Sequence, residues 1–134
     1  MIATALVQHR ACNIWWRGDH IRYFNEVHLG VAVAVKEGLI TPILRNLHLK
    51  TLRQIAVEVR DLAGRARGKR LQPDQYTGST FTVSNLGMFD IDQFTGVINP
   101  PEAGLLAVGS IVEKLAGEDG RVGCQETNTC DDGL

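Results

Sequence analysis

The 134-residue sequence has no long hydrophobic run, few cysteines and no surplus of charge of either sign. No apolar stretch approaches the roughly 20 residues that a transmembrane helix needs, so no membrane span is predicted. The three cysteines, Cys12, Cys124 and Cys130, form no C-x-x-C pair and indicate neither a disulfide framework nor a zinc site. Fourteen Lys and Arg against fifteen Asp and Glu give a net charge of −1, without the basic surplus of a general nucleic-acid binder.

Hydrophobic residues make up 44% of the chain and charged residues 22%, the balance of a soluble globular protein. This length is enough for one domain with a single hydrophobic core. The first residues lack the order of basic, apolar and small segments that marks a signal peptide. The sequence therefore predicts reduced thiols and a cytoplasmic or organellar setting, with any import signal outside these residues.

The segment TLRQIAVEVRDLAGRAR, residues 51–67, is the clearest helix. Thr51 and Gln54 form the T-x-x-Q version of a capping box, and apolar residues follow at helical spacing. Before it, LGVAVAVKEGLITPIL (29–44) predicts two strands around a turn at residues 36–38. Pro42 has no amide donor, so the second of these strands is predicted to be bulged or at an edge.

Two further strands are predicted over TFTVS (80–84) and AGLLAVGSI (103–111). The second is apolar almost throughout, which is typical of a strand buried on both faces. A turn is predicted at residues 118–120, and residues 123–134 show no periodicity and are predicted to be disordered or poorly packed. These elements predict an α/β fold, a mostly antiparallel or mixed sheet with the 51–67 helix packed on one face.

Few side chains stand out as candidates for chemistry. The four histidines have no metal-ligand spacing and are interpreted as structural or exposed: His9, His20, His28 and His48. Ser84 ends an apolar strand beside Asn85, with Gly87 permitting close backbone approach. These residues alone favour a turn-capping serine and leave a ligand-binding hydroxyl open.

The sequence resembles, from about Asn13 to Val122, the catalytic domain of the dihydrolipoyl acyltransferases, the core component of the 2-oxoacid dehydrogenase complexes. Four segments in the family's order carry the resemblance: NIWWRGDHIRY, VHLGVAVAVKEGLITPILR, LKTLRQIAVEVRDLAGRAR and TFTVSNLGMFDIDQFTGVINPPEAGLLAVGSI. The last segment is the most distinctive. On this basis residues 1–122 are predicted to be a partial catalytic domain and residues 123–134 a divergent tail.

The resemblance implies a partial chloramphenicol-acetyltransferase-like two-layer sandwich. It implies acyl transfer between dihydrolipoamide, carried on a separate lipoyl domain, and coenzyme A, with no covalently bound cofactor and no metal. A histidine of the family acts as general base, and the serine of the S-N-L-G block, here Ser84, stabilises the oxyanion. Asn85 and the backbone around Gly109 lie where the family binds coenzyme A. The site forms between the subunits of a homotrimer, and trimers build a larger core, in the cytoplasm or, in a eukaryote, in the mitochondrial matrix.

The sequence also departs from the family's pattern. The family's base lies in H-x-x-x-D-G after the last strand, whereas no histidine follows His48, and Asn128 stands four residues before Asp132. A neutral amide cannot take a proton from a thiol. The expectation is therefore a domain truncated at both ends that is inactive alone, and the alternative is a non-catalytic assembly piece of the acyltransferase core. The transferred group, acetyl, succinyl or branched-chain, stays open.

Overall fold

A computed structural model describes the backbone of residues 1–118 and 121–133 and the side chains of residues 1–113. In chain order the elements are α1 (Ile2–Gln8), β1 (Ile14–Trp16), β2 (Ile21–Tyr23), β3 (Leu29–Val31), β4 (Val33–Val35), β5 (Gly38–Ile40), β6 (Ile43–Leu44), α2 (Leu52–Arg67), β7 (Phe81–Asn85), β8 (Leu105–Glu118) and β9 (Arg121–Gly133). No helix within these ranges is long and apolar enough to cross a membrane.

A five-stranded mixed sheet forms the centre of the molecule, in the order β6-β3-β7-β8-β9. Strand β7 runs parallel to both of its neighbours, β3 and β8, while β6 and β9 pair antiparallel at the two ends. The α/β class and the mixed sheet expected from the sequence are confirmed. Strand β7 pairs with β3 as far as Val83 and with β8 as far as Asn85, so its last two residues are held by the β8 ladder.

Helix α2 begins and packs largely as its sequence predicts. The side-chain oxygen of Thr51 accepts a hydrogen bond from the Gln54 amide at 3.3 Å, and the Thr51 amide donates to Gln54 Oε1 at 2.9 Å, which completes the capping box. Leu62 and Ala66 are buried, and the helix contacts strands β4 and β6. Leu52 follows the same spacing but is 83% exposed.

The hydrophobic core lies between the two helices and one face of the sheet. Its buried members are Ala3, Leu6, Val27, Leu29, Leu44, Leu47, Leu62 and Phe81. Helix α1, which the sequence did not predict, contributes the first two. The core therefore joins residues from the first 81 positions of the chain in one layer against the sheet.

Two antiparallel hairpins flank the central sheet. In the β4–β5 hairpin, Val35 lies opposite Gly38, which confirms the predicted turn. The strand expected after that turn is divided at residues 41–42 into β5 and β6, and β6 is an edge strand, as Pro42 predicts. The other hairpin, β1–β2, pairs Ile14 with Tyr23 and Trp16 with Ile21.

Strand β8 is less buried than its composition predicts. Leu105 and Ala107 are buried, but Leu106 and Val108 are only half-buried and Ile111 is 67% exposed. Burial on both faces, expected for residues 103–111, is therefore wrong for one face. The short helix α1 covers Leu106 only in part and leaves an apolar cavity of about 270 Å³ between them.

The backbone of residues 121–133 forms strand β9, whereas the sequence predicts disorder from residue 123 onward. The β8–β9 ladder places Val108 opposite Cys130 and Glu118 opposite Arg121, with a register shift between Val108 and Ile111. Ladder hydrogen bonds use main-chain groups that every residue except proline supplies, so they form without the apolar alternation that this segment lacks. The predicted turn at 118–120 falls partly on residues 119 and 120, outside the described ranges, and the division of the chain at residue 122 stays a prediction.

Candidate functional site

Ser84 lies near the carboxyl end of β7, opposite Ala107 of β8, and its side chain is half-buried. Within the described part of the chain its hydroxyl makes no hydrogen bond. The role of capping the following turn falls to Asn85, whose Oδ1 accepts from the Gly87 amide at 3.0 Å. Among the described residues the Ser84 hydroxyl therefore has an unused donor.

Asn85 and Gly109 lie in one open cavity of about 360 Å³ beside the end of β7. Parallel pairing places Asn85 next to Val108, and the Leu86 amide donates to the Val108 carbonyl at 3.0 Å. The remaining lining residues are Gly87, Met88, Asp90, Val108, Ser110 and Ile111. The structure thus brings together two of the predicted site residues, with Ser84 adjoining them along the strand and outside the lining.

Gly109 also has a packing role that the sequence did not predict. A Cβ at this position would lie 1.9 Å from the Asp92 carbonyl oxygen, and one at Gly87 would lie 2.5 Å from the Gly109 oxygen. The Ser110 amide donates to the Ile91 carbonyl at 2.8 Å. Loop 86–92 therefore rests directly on the backbone of β8, and it does so because neither glycine carries a side chain.

A buried carboxyl group that is hydrogen-bonded to β7 was missed from the sequence. Glu102 is 5% exposed, and its Oε2 accepts a hydrogen bond from Thr82 Oγ1 at 2.6 Å, while Oε1 accepts from Ser79 Oγ. Burial raises the pKa of Glu102 above its ordinary value, and the two hydroxyl donors offset part of that rise. The partners are 20 and 23 residues away along the chain, so no local motif marks them.

His28 and His48 have structural roles in the backbone between β2 and α2. His28 Nδ1 accepts from the Asn46 amide at 3.2 Å, and His48 Nδ1 accepts from the Val27 amide at 3.4 Å. Burial lowers the pKa of His28, and the charge of Arg45 lowers it further. His20 is exposed, and its Nδ1 lies 2.6 Å from Asp19 Oδ1.

Within the described residues, no histidine lines the cavity at the end of β7 or bonds to Ser84. His28 is bonded to the residue that precedes β7, since its amide donates to Thr80 Oγ1 at 3.1 Å. Thr80 is four residues from Ser84, or about 13 Å along an extended strand. Among the described residues no group of His, Cys, Asp and Glu could hold a metal ion, and Cys12 is a free thiol.

The family model for the 2-oxoacid dehydrogenases acyltransferase (catalytic domain) matches residues 1–130. A mitochondrial dihydrolipoyllysine-residue acetyltransferase component of the pyruvate dehydrogenase complex from Schizosaccharomyces pombe is 50% identical over 112 residues, 84% of this chain and 23% of that protein. The corresponding Zymomonas mobilis component is 47% identical over 108 residues, 81% of this chain and 24% of that protein. The mitochondrial pyruvate dehydrogenase protein X component of Mus musculus is 45% identical over 107 residues, 80% of this chain and 21% of that protein.

Solved structures give the same result. A probable dihydrolipoamide acetyltransferase from Listeria monocytogenes superimposes with a TM-score of 0.89 at 34% identity, covering 96% of this chain and 56% of that one. The dihydrolipoamide acetyltransferase of Azotobacter vinelandii, studied for the catalytic role of a serine, a histidine and an asparagine, gives 0.87 at 31% identity, with 96% and 53% covered.

The chain thus spans about a quarter of the length of these curated relatives and about half of the solved chains. The family match extends past residues 13–122 at both ends, so it includes α1 and most of β9. The mixed sheet, the S-N-L-G block at the end of β7 and these matches lead to one conclusion. The chain belongs to the 2-oxoacid dehydrogenase acyltransferase family, in its catalytic domain.

Proposed function

We propose that this chain carries the oxyanion-stabilising part of an acyl-transfer site, which moves an acyl group between a dihydrolipoamide thiol and coenzyme A in a 2-oxoacid dehydrogenase complex. The observation that carries the proposal is the half-buried Ser84 hydroxyl, which makes no hydrogen bond among the described residues. Both thiol compounds are substrates, the lipoamide arriving on a separate lipoyl domain. The proposed setting is the cytoplasm, or the mitochondrial matrix in a eukaryote.

Ser84 acts electrostatically in this proposal. When a thiolate attacks a thioester carbonyl, the carbonyl oxygen becomes an oxyanion in the tetrahedral intermediate. A fixed hydroxyl donor stabilises that charge more than it stabilises the neutral substrate, and it does so best where water is partly excluded. The half-buried position of Ser84, where β7 is held by the β8 ladder, suits this role.

Asn85 and Gly109 support a binding role for the adjoining cavity. The exposed Asn85 amide still offers two donors, because the Gly87 amide engages its oxygen. Ser84 directly precedes Asn85 on β7 but does not line this cavity. In this proposal a thioester of coenzyme A bound beside Asn85 extends past the end of the strand, and its carbonyl reaches the serine hydroxyl. Gly109 contributes through its backbone and by admitting loop 86–92, which forms the cavity's other wall.

A general base must complete the site. His28 is bonded to Thr80, which lies about 13 Å along the chain from Ser84. Its Nδ1 also already accepts a backbone hydrogen bond. We therefore propose that a segment with the family's H-x-x-x-D-G pattern, contributed across a subunit boundary of a homotrimer or larger core, supplies the histidine. The 134-residue chain alone is expected to show no acyl transfer above background.

The test uses this chain completed with the flanking segments of a close relative, including H-x-x-x-D-G. Ser84→Ala should lower kcat by about 10²–10³-fold with much less change in KM, the usual effect of removing one oxyanion donor. Ser84→Thr, which keeps a hydroxyl and suits a strand, should retain most activity. The matched control is Thr77→Ala, whose hydroxyl donates within a distant turn and should leave kcat unchanged. An undiminished kcat in folded Ser84→Ala would refute the assignment.

The second candidate function is a non-catalytic assembly piece of the acyltransferase core. It is favoured because, among the described residues, no histidine lines the cavity beside Ser84. It predicts that the chain joins a trimer or core, while the completed domain neither turns over nor responds to Ser84→Ala. Sedimentation of the chain, paired with the kinetic assay, distinguishes the two functions.

A further inference from the structure

The buried side chain of Glu102, in the loop that leads into β8, is bonded to β7 and to the segment just before β7. It accepts hydrogen bonds from Ser79 and Thr82, which stand just before and within β7. We infer that Glu102 is a positioning residue for Ser84, acting through Thr82, an inference that rests on the proposed role of Ser84. Its carboxylate fixes the face of β7 from which the serine hydroxyl projects.

Thr82 and Ser84, the two hydroxyl residues, lie on the same strand, β7. Thr82 and Ser84 are two residues apart, so their side chains lie on the same face, about 7 Å from each other. Thr82 is 3% exposed and bound to Glu102 at 2.6 Å, whereas the Ser84 hydroxyl has no partner among the described residues. Within the described residues, no hydrogen bond of the Ser84 hydroxyl therefore sets its position. The position is set by the backbone of β7 and by what holds that face.

Glu102 is itself held from two directions. Its amide donates to the Asn99 carbonyl at 3.1 Å, and the Trp16 amide of β1 donates to the Pro101 carbonyl at 2.8 Å. The Trp15 indole donates to the Ser79 carbonyl at 2.7 Å. The carboxylate is thus anchored to the β1–β2 hairpin and to the loop that enters β8, and it resists displacement of β7 relative to both.

Gly30 provides a second observation for the same arrangement. It lies opposite Thr82 in the β3–β7 ladder, and a Cβ on it would come within 2.9 Å of Thr82 Oγ1. The glycine leaves the space in which the Thr82 hydroxyl reaches Glu102. Burying a carboxylate is costly, and the two hydroxyl donors, with a glycine beside them, offset part of that cost.

The experiment compares four substitutions. Glu102→Ala removes the carboxylate, Glu102→Gln keeps an amide that can engage both hydroxyls, and Gly30→Ala displaces Thr82 without touching Glu102. Leu62→Ala is the control, because it removes a buried core side chain from α2 on the other face of the sheet. Backbone amide NMR signals of Ser84 are measured in the chain itself, and kcat and KM are measured in the completed domain, at a temperature where each variant is folded.

Glu102→Ala and Gly30→Ala should both shift the Ser84 amide signal, and in the completed domain they should lower kcat by about 10²-fold with little change in KM, as a small misplacement of a catalytic group does. Glu102→Gln should keep the Ser84 amide signal and kcat close to those of the unsubstituted protein. Leu62→Ala should lower stability without changing either the signal or kcat. An unshifted Ser84 signal in folded Glu102→Ala overturns the inference, as does an equal effect of Leu62→Ala. If Glu102→Ala does not fold, Gly30→Ala decides. If the completed domain is inactive, the proposed function fails, while the Ser84 signal still tests the positioning role.

Discussion

Gly109→Ala should destabilise the protein strongly, because the new methyl group has no space. Its Cβ would lie 1.9 Å from the Asp92 oxygen and 2.8 Å from the Asp92 carbonyl carbon, both backbone atoms. Loop 86–92 must then retreat by at least about 1 Å, and overpacking of this kind costs about 1–3 kcal/mol. The retreat also weakens the hydrogen bond from Ser110 to Ile91, worth about 1 kcal/mol.

Together these effects predict a loss of about 2–4 kcal/mol, which lowers the thermal midpoint by about 8–15 °C for a domain of this size. Gly64→Ala is the matched control. This glycine is in α2, and a Cβ added to it would meet nothing within 4 Å, so alanine there should stabilise by about 0.5–1 kcal/mol. Thermal and urea unfolding followed by circular dichroism give both values. A Gly109→Ala midpoint equal to or above that of the unsubstituted chain would refute the packing argument.

Three further outcomes are expected. The pKa of His28 is lowered, so the folded protein binds a proton at His28 less readily than the unfolded chain does, and the stability that His28 contributes is lost as pH falls below 6.5. His28→Asn should remove this part of the pH dependence of the unfolding free energy, measured by urea unfolding at several pH values. The pKa of Glu102 is raised, so its effect on stability depends on pH in the opposite direction: the stability that it contributes is lost as pH rises above 4.5. Glu102→Gln should abolish this loss in the same urea series. Thr51→Ala removes the capping box of α2 and should cost about 1 kcal/mol in unfolding free energy, with Thr77→Ala as a control outside any helix; no loss in Thr51→Ala would contradict the capping role.

The sequence alone determined the elements whose signals are local. Thr51 and Gln54 marked the start of α2 because a capping box needs only residues three apart. The turn at residues 36–38 and the edge position after Pro42 followed from backbone chemistry within a few residues. The long, ordered matches to the acyltransferase family singled out Ser84, which residue type and spacing by themselves did not.

The tertiary structure decided what depends on contacts between distant residues. Glu102 meets Thr82 and Ser79 across 20 or more positions, and no short pattern predicts a carboxylate there. Whether Ser84 or Asn85 caps the turn depended on which side chain reaches the Gly87 amide, and Asn85 does. The packing of Gly109 against Asp92 and the pairing of β9 with β8 likewise arise only when the loop and strands come together. Periodicity and caps report a residue's neighbours in sequence, whereas burial and hydrogen-bond partners are set by neighbours in space.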